Sequence, residues 1–177
     1  MSLITEAIKG NVNSMCALIE EHQLMLYKTA YAILHNEDDA KDAVQETLVS
    51  MFRNISKVKE AKNFKTWITR ILINKCYDII YKNNINTNKN QKLEFEYEKT
   101  EEMENAIISK LTIEKALKLL DTELKEITVL FYYDDFSVKE ISKILEIPVG
   151  TVKSRLSRAR EKIYSNVIQK RGENIEK

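Results

Sequence analysis

Residues 137–163 read SVKEISKILEIPVGTVKSRLSRAREKI, and this stretch decides how the second half of the chain folds. Ser137 followed by Glu140 is the pattern of a capping box, which starts a helix at about Val138. The first helix is expected to end at residues 146–148 (EIP). Pro148 suits the first turn of a second helix, because the N–H that proline lacks would have no partner there. The stretch therefore predicts two short helices set at an angle, of which the second is basic.

The second of these helices has one apolar face and one face that is small and basic. Its apolar residues recur at spacings of 3, 4, 3 and 4 and predict a buried face made of Val149, Val152, Leu156, Ala159 and Ile163. The opposite face presents Gly150, Lys153, Ser154, Ser157 and Arg158, and the candidate DNA contacts also include Thr151, Arg155 and Arg160. Arginine side chains that flank such a face are long enough to reach phosphates.

A helix, a short turn and a basic second helix together form the geometry that inserts the second helix into the major groove of DNA. The alternative is an ordinary amphipathic helix whose Lys and Arg side chains are simply solvated. The capping box, the turn, the proline and the small outer residues agree with one another. DNA binding is therefore the favoured interpretation.

The composition indicates an all-helical protein. The chain has 177 residues, a net charge of +1, three Gly and one Pro, so any nucleic-acid affinity has to come from local basic patches. Few turn-forming residues and long runs with helical periodicity predict an all-α fold. Cys16 and Cys76 are too few for a disulfide framework and fit a reducing cytosol. The sequence shows no apolar run typical of a signal peptide or membrane span, so we expect a cytoplasmic protein without membrane insertion.

The stretch NNINTNKNQKLEFEYEKTEEMENA, residues 83–106, differs sharply from its surroundings. Its first half is rich in Asn and Lys, its second half is mostly Glu, and no apolar period runs through it. It predicts a flexible linker between two small helical domains. We expect a first domain over residues 1–83, a linker over 84–106, and a second domain over 107–177 that contains the helix-turn-helix.

A helix of the first domain, beginning after Asn36 as its N-cap, carries an acidic strip on its outer face. The strip contains Asp39, Asp42, Glu46 and Arg53, with Gln45 at its edge and Val49 exposed among them. A solvated acidic face is one interpretation. Docking of a basic partner helix is the other, since the strip includes an apolar residue. The spacing of these residues along the helix is compatible with both interpretations.

A longer helix, predicted from Phe64 to Lys82, carries a stripe of a different kind. Its members recur at spacings of 4, 3 and 4 and are Arg70, Asn74, Tyr77 and Tyr81. Rings that stack on bases and an arginine for phosphate suit single-stranded nucleic acid. Aromatic residues in helices are also commonly buried, and that alternative stays open. Trp67, beside Phe64, is interpreted as a core residue.

Three runs of this sequence match the motifs of a known family: SVKEIS with PVGTVKSRLSRAR (residues 137–142 and 148–160), DDAKDAVQETL (38–48) and FKTWITRILINKCYD (64–78). They resemble, in that order, region 4.2, region 2.2 and regions 2.3 to 2.4 of the extracytoplasmic-function (ECF) group of sigma-70-type RNA polymerase sigma factors. The resemblance spans nearly the whole chain. Two helical domains joined by a structureless linker are also the layout of this group.

The resemblance implies a dissociable subunit that directs core RNA polymerase to promoters and has no catalytic residue, metal or cofactor of its own. The acidic strip would then bind the clamp helices of the polymerase β′ subunit. The residues that this implies are Asp39, Asp42, Gln45, Glu46 and Val49.

The same resemblance implies two sets of contacts with promoter DNA. The minus-10 element would be opened and a flipped base captured by Lys62, Asn63, Arg70, Asn74, Tyr77 and Tyr81. The minus-35 element would be read by Thr151, Lys153, Ser154, Arg155, Ser157, Arg158 and Arg160, in a second domain that would also sit on the β-subunit flap. An anti-sigma protein is usual for the group and is a candidate further partner.

The chain departs from the family pattern at three positions. Glu146 stands in the turn where the family usually has Gly, so a positive φ there would cost about 1 kcal/mol. Tyr81 stands where an Arg is common, which puts one phosphate contact in doubt unless Lys82 supplies it. Ser157 lies where the family varies widely, so promoter specificity does not carry over.

The sequence leaves two other functions as alternatives to a sigma factor. An autonomous helix-turn-helix regulator would bind duplex DNA alone and has no need of the acidic strip or of the stripe that contains Arg70 and Tyr77. An enzyme is disfavoured because the sequence has no Gly-rich phosphate loop and its His and Cys residues lack metal-site spacing: His22, His35, Cys16 and Cys76.

Overall fold

The structure is a computed structural model, and it describes residues 2–58, 60–87 and 116–173, with side chains up to residue 85 and from 116 to 165. Its secondary structure over these residues consists of helices without a strand, which confirms the all-α prediction. The helices are α1 (Leu3–Ile8), α2 (Val12–Leu34), α3 (Glu37–Asn54), α4 (Phe64–Thr87), α5 (Thr122–Tyr132), α6 (Val138–Leu145) and α7 (Val149–Glu173).

Side chains at the helix starts explain where several helices begin. Asn36 Oδ1 accepts a hydrogen bond from the Asp39 backbone N–H at 2.9 Å, so the predicted N-cap of α3 is confirmed. Asp121 caps α5 in the same way through the Leu124 N–H at 3.1 Å. Each of these bonds satisfies a backbone donor that has no partner within its own helix.

The first domain is built from α1 to α4, with two short 3₁₀ turns, Ile55–Lys57 and Ala61–Asn63, between α3 and α4. Its core consists of large apolar side chains that are almost fully buried, among them Leu18, Leu26, Met51, Phe64, Ile68 and Leu72. Trp67 packs against this core without being fully buried, in agreement with its interpretation as a core residue. Two 3₁₀ turns thus lie in the segment between α3 and α4.

Helix α4 extends further than the sequence suggested. It continues to Thr87, so residues 84–87, which were assigned to the linker, are helical. The remainder of the predicted linker, residues 88–106, lies outside the described residues.

In the second domain α6 and α7 form the predicted helix-turn-helix. The capping box is confirmed, because the Ser137 hydroxyl accepts from the Glu140 N–H while the Glu140 carboxylate accepts from the Ser137 N–H at 2.8 Å. Glu146 ends α6 in the left-handed region with φ of 54°. The Ser142 hydroxyl closes the turn by donating to the Ile147 carbonyl at 2.6 Å. Glu146 therefore adopts the positive φ that was expected to destabilise this turn when a residue other than Gly occupies it.

The buried face predicted for α7 is correct at four positions and wrong at one. Val152, Leu156 and Ala159 are buried and Ile163 is partly buried, but Val149 is 38% exposed. Val149 is the first residue of α7, and its neighbours in the turn are exposed too, so this end of the helix projects beyond the domain's core.

The two domains pack against each other through α2 with α5 and through α4 with α6. Ile127 and Leu130 of α5 belong to the same buried cluster as Leu26 and Ile68 of the first domain. Burial of apolar area contributes about 25 cal/mol for each Å² removed from water, so this contact stabilises the docked arrangement.

Polar contacts accompany this apolar docking. The buried hydroxyl of Thr29 lies 2.9 Å from Oδ2 of Asp134, a carboxylate that is also buried. Lys65 donates to the Asp134 backbone carbonyl at 2.7 Å, and its ammonium lies 4.5 Å from the centroid of the Phe136 ring. These contacts fix the segment between α5 and α6 against the first domain.

Replacement of Ser137 by Ala is expected to lower the free energy of unfolding by about 1 kcal/mol, because the first turn of α6 loses its side-chain acceptor. Urea unfolding followed by circular dichroism measures this change. Ser154→Ala is the matched control, since Ser154 lies inside α7, where Ala is the better helix former. Equal stability of Ser137→Ala and the wild type would contradict the role of the cap.

Candidate nucleic-acid interface

The outer face of α7 lies open to solvent. Lys153, Ser154, Ser157 and Arg158 are all exposed, as the sequence predicted, and Thr151 is half-buried. A side chain added at Gly150 would meet no other part of the protein within 4 Å. The N-terminal half of α7 therefore presents two cations and two hydroxyls on an unobstructed surface, which suits base edges and phosphates.

The two arginines at the margins of this face are engaged within the second domain. Arg155 is mostly buried and forms an ion pair with Glu123 of α5 at 2.6 Å. Arg160 donates from Nε to the Leu156 carbonyl at 3.2 Å. Their guanidinium groups are thus held in defined positions beside the open face.

The acidic strip of α3 is a second open surface. Asp42, Gln45, Glu46 and Val49 are exposed, and Asp39 is half-buried. A cleft of about 390 Å³ lies between α3 and α4 and is lined by Asp39, Asp42, Ala43, Gln45, Glu46, Lys75, Asp78, Ile79, Lys82 and Asn83. Four carboxylates against two lysines make this cleft acidic overall.

Helix α4 contributes fixed polar partners to this cleft. Asn83 donates to the Asp39 carboxylate at 2.9 Å, and the Lys75 ammonium lies 3.6 Å from the Glu46 carboxylate. Both contacts hold acidic side chains of α3 in place from the neighbouring helix.

Sequence reasoning missed Phe52, whose side chain is 44% exposed beside Val49 at 43%. The two residues are three apart on one helix, so they lie on the same face. An exposed Phe three positions beyond the apolar residue of the strip was the signal that could have identified it. The acidic strip therefore ends in an apolar patch, as a docking surface for a helix would.

The stripe predicted on α4 is divided by the docking of the second domain. Asn74, Tyr77 and Tyr81 are exposed, with Tyr77 at 40% and Tyr81 at 69%. Arg70, in contrast, is paired with the carboxylate of Glu146 in the helix-turn-helix. The Tyr77 hydroxyl donates to the carboxylate of Glu126 in α5.

Lys62 and Asn63 lie in the 3₁₀ turn that precedes α4 and are exposed. Both contact the Glu60 carboxylate, each at 3.1 Å. They stand at the N-terminal end of α4, whereas Tyr77 and Tyr81 lie near its C-terminal half, so the six predicted residues do not form one compact cluster.

Burial raises the pKa of two carboxyl groups at the contact between the domains. It raises the pKa of Glu126 to about 7, even though the hydrogen bond from Tyr77 and the charge of Arg155 lower it. Burial also raises the pKa of Asp134 to about 6, against the lowering effects of the Thr29 hydrogen bond and Lys65. The pKa of Tyr77 is raised as well, mainly by burial, so Tyr77 stays a hydrogen-bond donor.

The fold defines a class of protein: a two-domain helical protein of the DNA-binding helix-turn-helix type. The second helix of that motif has an exposed basic face, and the other domain carries an exposed acidic strip. Comparison with known proteins narrows the class. Residues 18–84 match the family described as Sigma-70 region 2, and residues 110–163 match Sigma-70, region 4.

Individual proteins agree with these matches. The ECF RNA polymerase sigma factor SigW of Bacillus subtilis (strain 168) is 30% identical over 174 residues, which cover 89% of this chain and 91% of SigW. The chain therefore belongs to the ECF group of sigma-70-type sigma factors, and it is a sigma factor that directs promoter-specific transcription initiation.

Two solved structures share the fold. One is CnrH in complex with the cytosolic domain of CnrY, with a TM-score of 0.71, 24% identity, and coverage of 94% of this chain and 96% of that one. The other is the sigma factor RpoE in complex with the anti-sigma factor NepR from Bartonella quintana, with a TM-score of 0.70, 25% identity, and coverage of 84% and 95%.

Family membership bears on the other functions that the sequence left open. An autonomous helix-turn-helix regulator does not account for the match to region 2 over residues 18–84. No group of three or more metal-ligating side chains occurs in the part of the chain that the structure describes. Across the same residues, the helices are all too short or too polar to cross a bilayer.

Replacement of Glu126 by Gln is expected to make stability depend less on pH. Because folding raises the pKa of this carboxyl from 4.5 to about 7, the wild-type protein loses stability as the pH rises through that window, by about 3 kcal/mol. Gln has the same shape, stays neutral and still accepts from Tyr77. The variant should therefore be more stable than the wild type at about pH 8 and nearly equal to it at about pH 4.5.

Urea unfolding at both pH values measures this difference. Glu161→Gln is the control, since Glu161 is exposed on α7. A stability difference between Glu126→Gln and the wild type that is the same at both pH values would contradict the burial effect.

Proposed function

We propose that the first domain docks on core RNA polymerase through the acidic strip of α3. The strip, with Phe52 added to its apolar end, would receive the clamp helices of the β′ subunit. The charge and exposure of Asp42 and Glu46 support this role, because a helix rich in Lys and Arg would find opposite charge around an apolar centre. Asp39, Gln45 and Val49 complete the proposed contact.

The second domain would read the minus-35 element and rest on the β-subunit flap. The open face formed by Lys153, Ser154, Ser157 and Arg158 would meet base edges in the major groove. Thr151, Arg155 and Arg160 would contact the neighbouring phosphates. Since Arg155 is already paired with Glu123, its contribution would be smaller than that of Arg158.

The minus-10 element would be opened and held in single-stranded form along α4 and the turn before it. Lys62, Asn63 and Arg70 would hold the backbone of the non-template strand. Asn74, Tyr77 and Tyr81 would pair with and stack on unstacked bases. The exposure of Asn74 and Tyr81 supports this assignment.

Several further features belong to the same proposal. The factor would have no catalytic activity, would act in the cytoplasm, and would divide into the domains expected over residues 1–83 and 107–177, with α4 extending the first of them to Thr87. An anti-sigma protein is a candidate partner, because RpoE of B. quintana was solved in complex with one. The observation that carries the proposal is that an acidic docking face and an open basic recognition face lie on separate domains of one chain.

Reversal of charge at two strip residues tests the docking. Asp42→Arg combined with Glu46→Arg should abolish capture of the chain by immobilised core polymerase and abolish run-off transcription over a promoter library, since two attractive contacts become repulsive. The control is Glu20→Arg with Glu21→Arg, an identical charge change at two exposed residues of α2. Capture of the Asp42/Glu46 variant at the wild-type level would rule out the strip.

Truncation of Arg158 tests the reading face. Arg158→Ala should weaken binding to the upstream promoter element by about 1 to 3 kcal/mol if the guanidinium holds a guanine through two hydrogen bonds. Footprinting of the polymerase complex over a salt series measures the loss. Lys139→Ala on α6 removes the same charge from an exposed site and should leave upstream protection intact. Unchanged protection with Arg158→Ala would remove this residue from the interface.

A further inference from the structure

One of the proposed DNA contacts of α7 is already held by an acidic residue of the same domain. Nη2 of Arg155 lies 2.6 Å from Oε2 of Glu123, which belongs to the first turn of α5. Lys153 and Arg158, in contrast, form no ion pair with any residue whose side chain the structure describes. The cations around the open face of α7 therefore differ in how freely they can reach DNA.

The pairing follows from the way α5 packs on α7. Leu124 of α5 and Ala159 of α7 belong to one buried cluster, which places the first turn of α5 along one side of α7. Two turns after Arg155 on that side, the ammonium of Lys162 lies 3.7 Å from the carboxylate of Asp121. Two cations of α7 thus meet two carboxylates at the start of α5, where the positive end of the helix dipole favours acidic residues.

The exposure of the two side chains indicates which of them DNA would meet first. The side chain of Glu123 is 63% exposed, whereas that of Arg155 is only 19% exposed. A phosphate that approaches Arg155 therefore has to displace the more accessible carboxylate. Because a carboxylate offers a guanidinium the same kind of charged acceptor as a phosphate, the two compete for the same donor groups.

Arg155 also acts on a second carboxyl group of α5. Its charge lowers the pKa of Glu126, although burial has the larger effect and raises that pKa to about 7. The guanidinium thus lies within electrostatic range of Glu123 and Glu126 together. Movement of Arg155 toward DNA would weaken both interactions, so its phosphate contact is less favourable than that of an arginine without such partners.

We propose that Glu123 is a positioning residue that holds Arg155 back from the phosphates of duplex DNA and thereby limits the affinity of α7 for DNA of any sequence. Phosphate contacts carry no sequence information, whereas contacts with base edges do. With one phosphate contact restrained, the domain would bind firmly only where base contacts are added. This inference rests on the proposed reading of duplex DNA by α7.

The salt dependence of DNA binding tests the proposal, because each phosphate contact releases counterions. The probe is a fluorescein-labelled duplex of about 25 base pairs with random sequence, titrated with the full chain from about 50 to 200 mM salt and followed by anisotropy. Glu123→Gln keeps a hydrogen-bond acceptor and removes the charge. The variant should bind about fivefold more tightly than the wild type at about 50 mM salt, and its plot of log affinity against log salt should be steeper by about 0.9.

A double-mutant cycle separates the restraint of Arg155 from a simple loss of negative charge. In an Arg155→Gln background, Glu123→Gln should change affinity by less than about twofold, since the group that it frees is gone. Asp135→Asn is the charge control, because Asp135 is exposed in the same domain and Asn tolerates its φ of 55°. An unchanged slope with Glu123→Gln, or the same increase with and without Arg155, would overturn the proposal.

Glu123→Asp provides a second variant in case Glu123→Gln does not fold, which circular dichroism shows. The shorter side chain draws the carboxylate away from Arg155 while the net charge of the chain stays the same. A steeper salt dependence than that of the wild type is again expected. The wild-type slope in this variant would contradict the restraint of Arg155.

Arg158→Ala shows whether the probe is bound by the open face of α7. If the wild type binds no duplex, or if Arg158→Ala leaves binding unchanged, the proposed reading of DNA by α7 is removed together with this inference. If Arg158→Ala weakens binding while Glu123→Gln behaves as the wild type, only the inference is removed.

Discussion

Helix α4 has to pack on two sides at once, and the rest of the structure depends on this constraint. On one side Phe64, Ile68 and Leu72 fill the core of the first domain against α2 and α3. On the other side the same helix contacts α6 of the second domain. Such a helix cannot have a single apolar stripe, and its sequence is accordingly apolar around much of its circumference. Of the α4 residues proposed to hold melted DNA, Asn74 and Tyr81 are exposed, whereas Arg70 and Tyr77 contact the second domain.

This constraint explains which parts of the molecule could be predicted from sequence. Helix boundaries were predicted correctly from local sequence, because they depend on hydrogen bonds within a few residues. The boundaries concerned are marked by the capping box of Ser137 and Glu140, the Asn36 cap and the break before Pro148. The exposed face of α7 was predicted for the same reason, since helical periodicity fixes which side chains share a face. The prediction that Val149 is buried was wrong, because burial at the first turn of a helix depends on which other elements pack beside that turn.

Contacts between distant residues could not be predicted in this way. Nothing local to Arg70 indicates Glu146, and nothing local to Tyr77 indicates Glu126, because these partners are brought together only when the domains dock. The alternative that the aromatic residues of this stripe are simply buried is wrong, because Tyr77 is 40% exposed and Tyr81 is 69% exposed. Only the hydroxyl of Tyr77 meets the second domain, where it donates to Glu126. Phe52 was missed although its spacing from Val49 was visible.

The left-handed backbone at Glu146 has an evolutionary consequence. Glutamate and glycine codons differ by a single base, so one point mutation would place Gly at this turn. That mutation would relax the backbone by about 1 kcal/mol and at the same time delete the carboxylate that meets Arg70. The same single change would thus exchange a strained turn held by an ion pair for an unstrained turn without one.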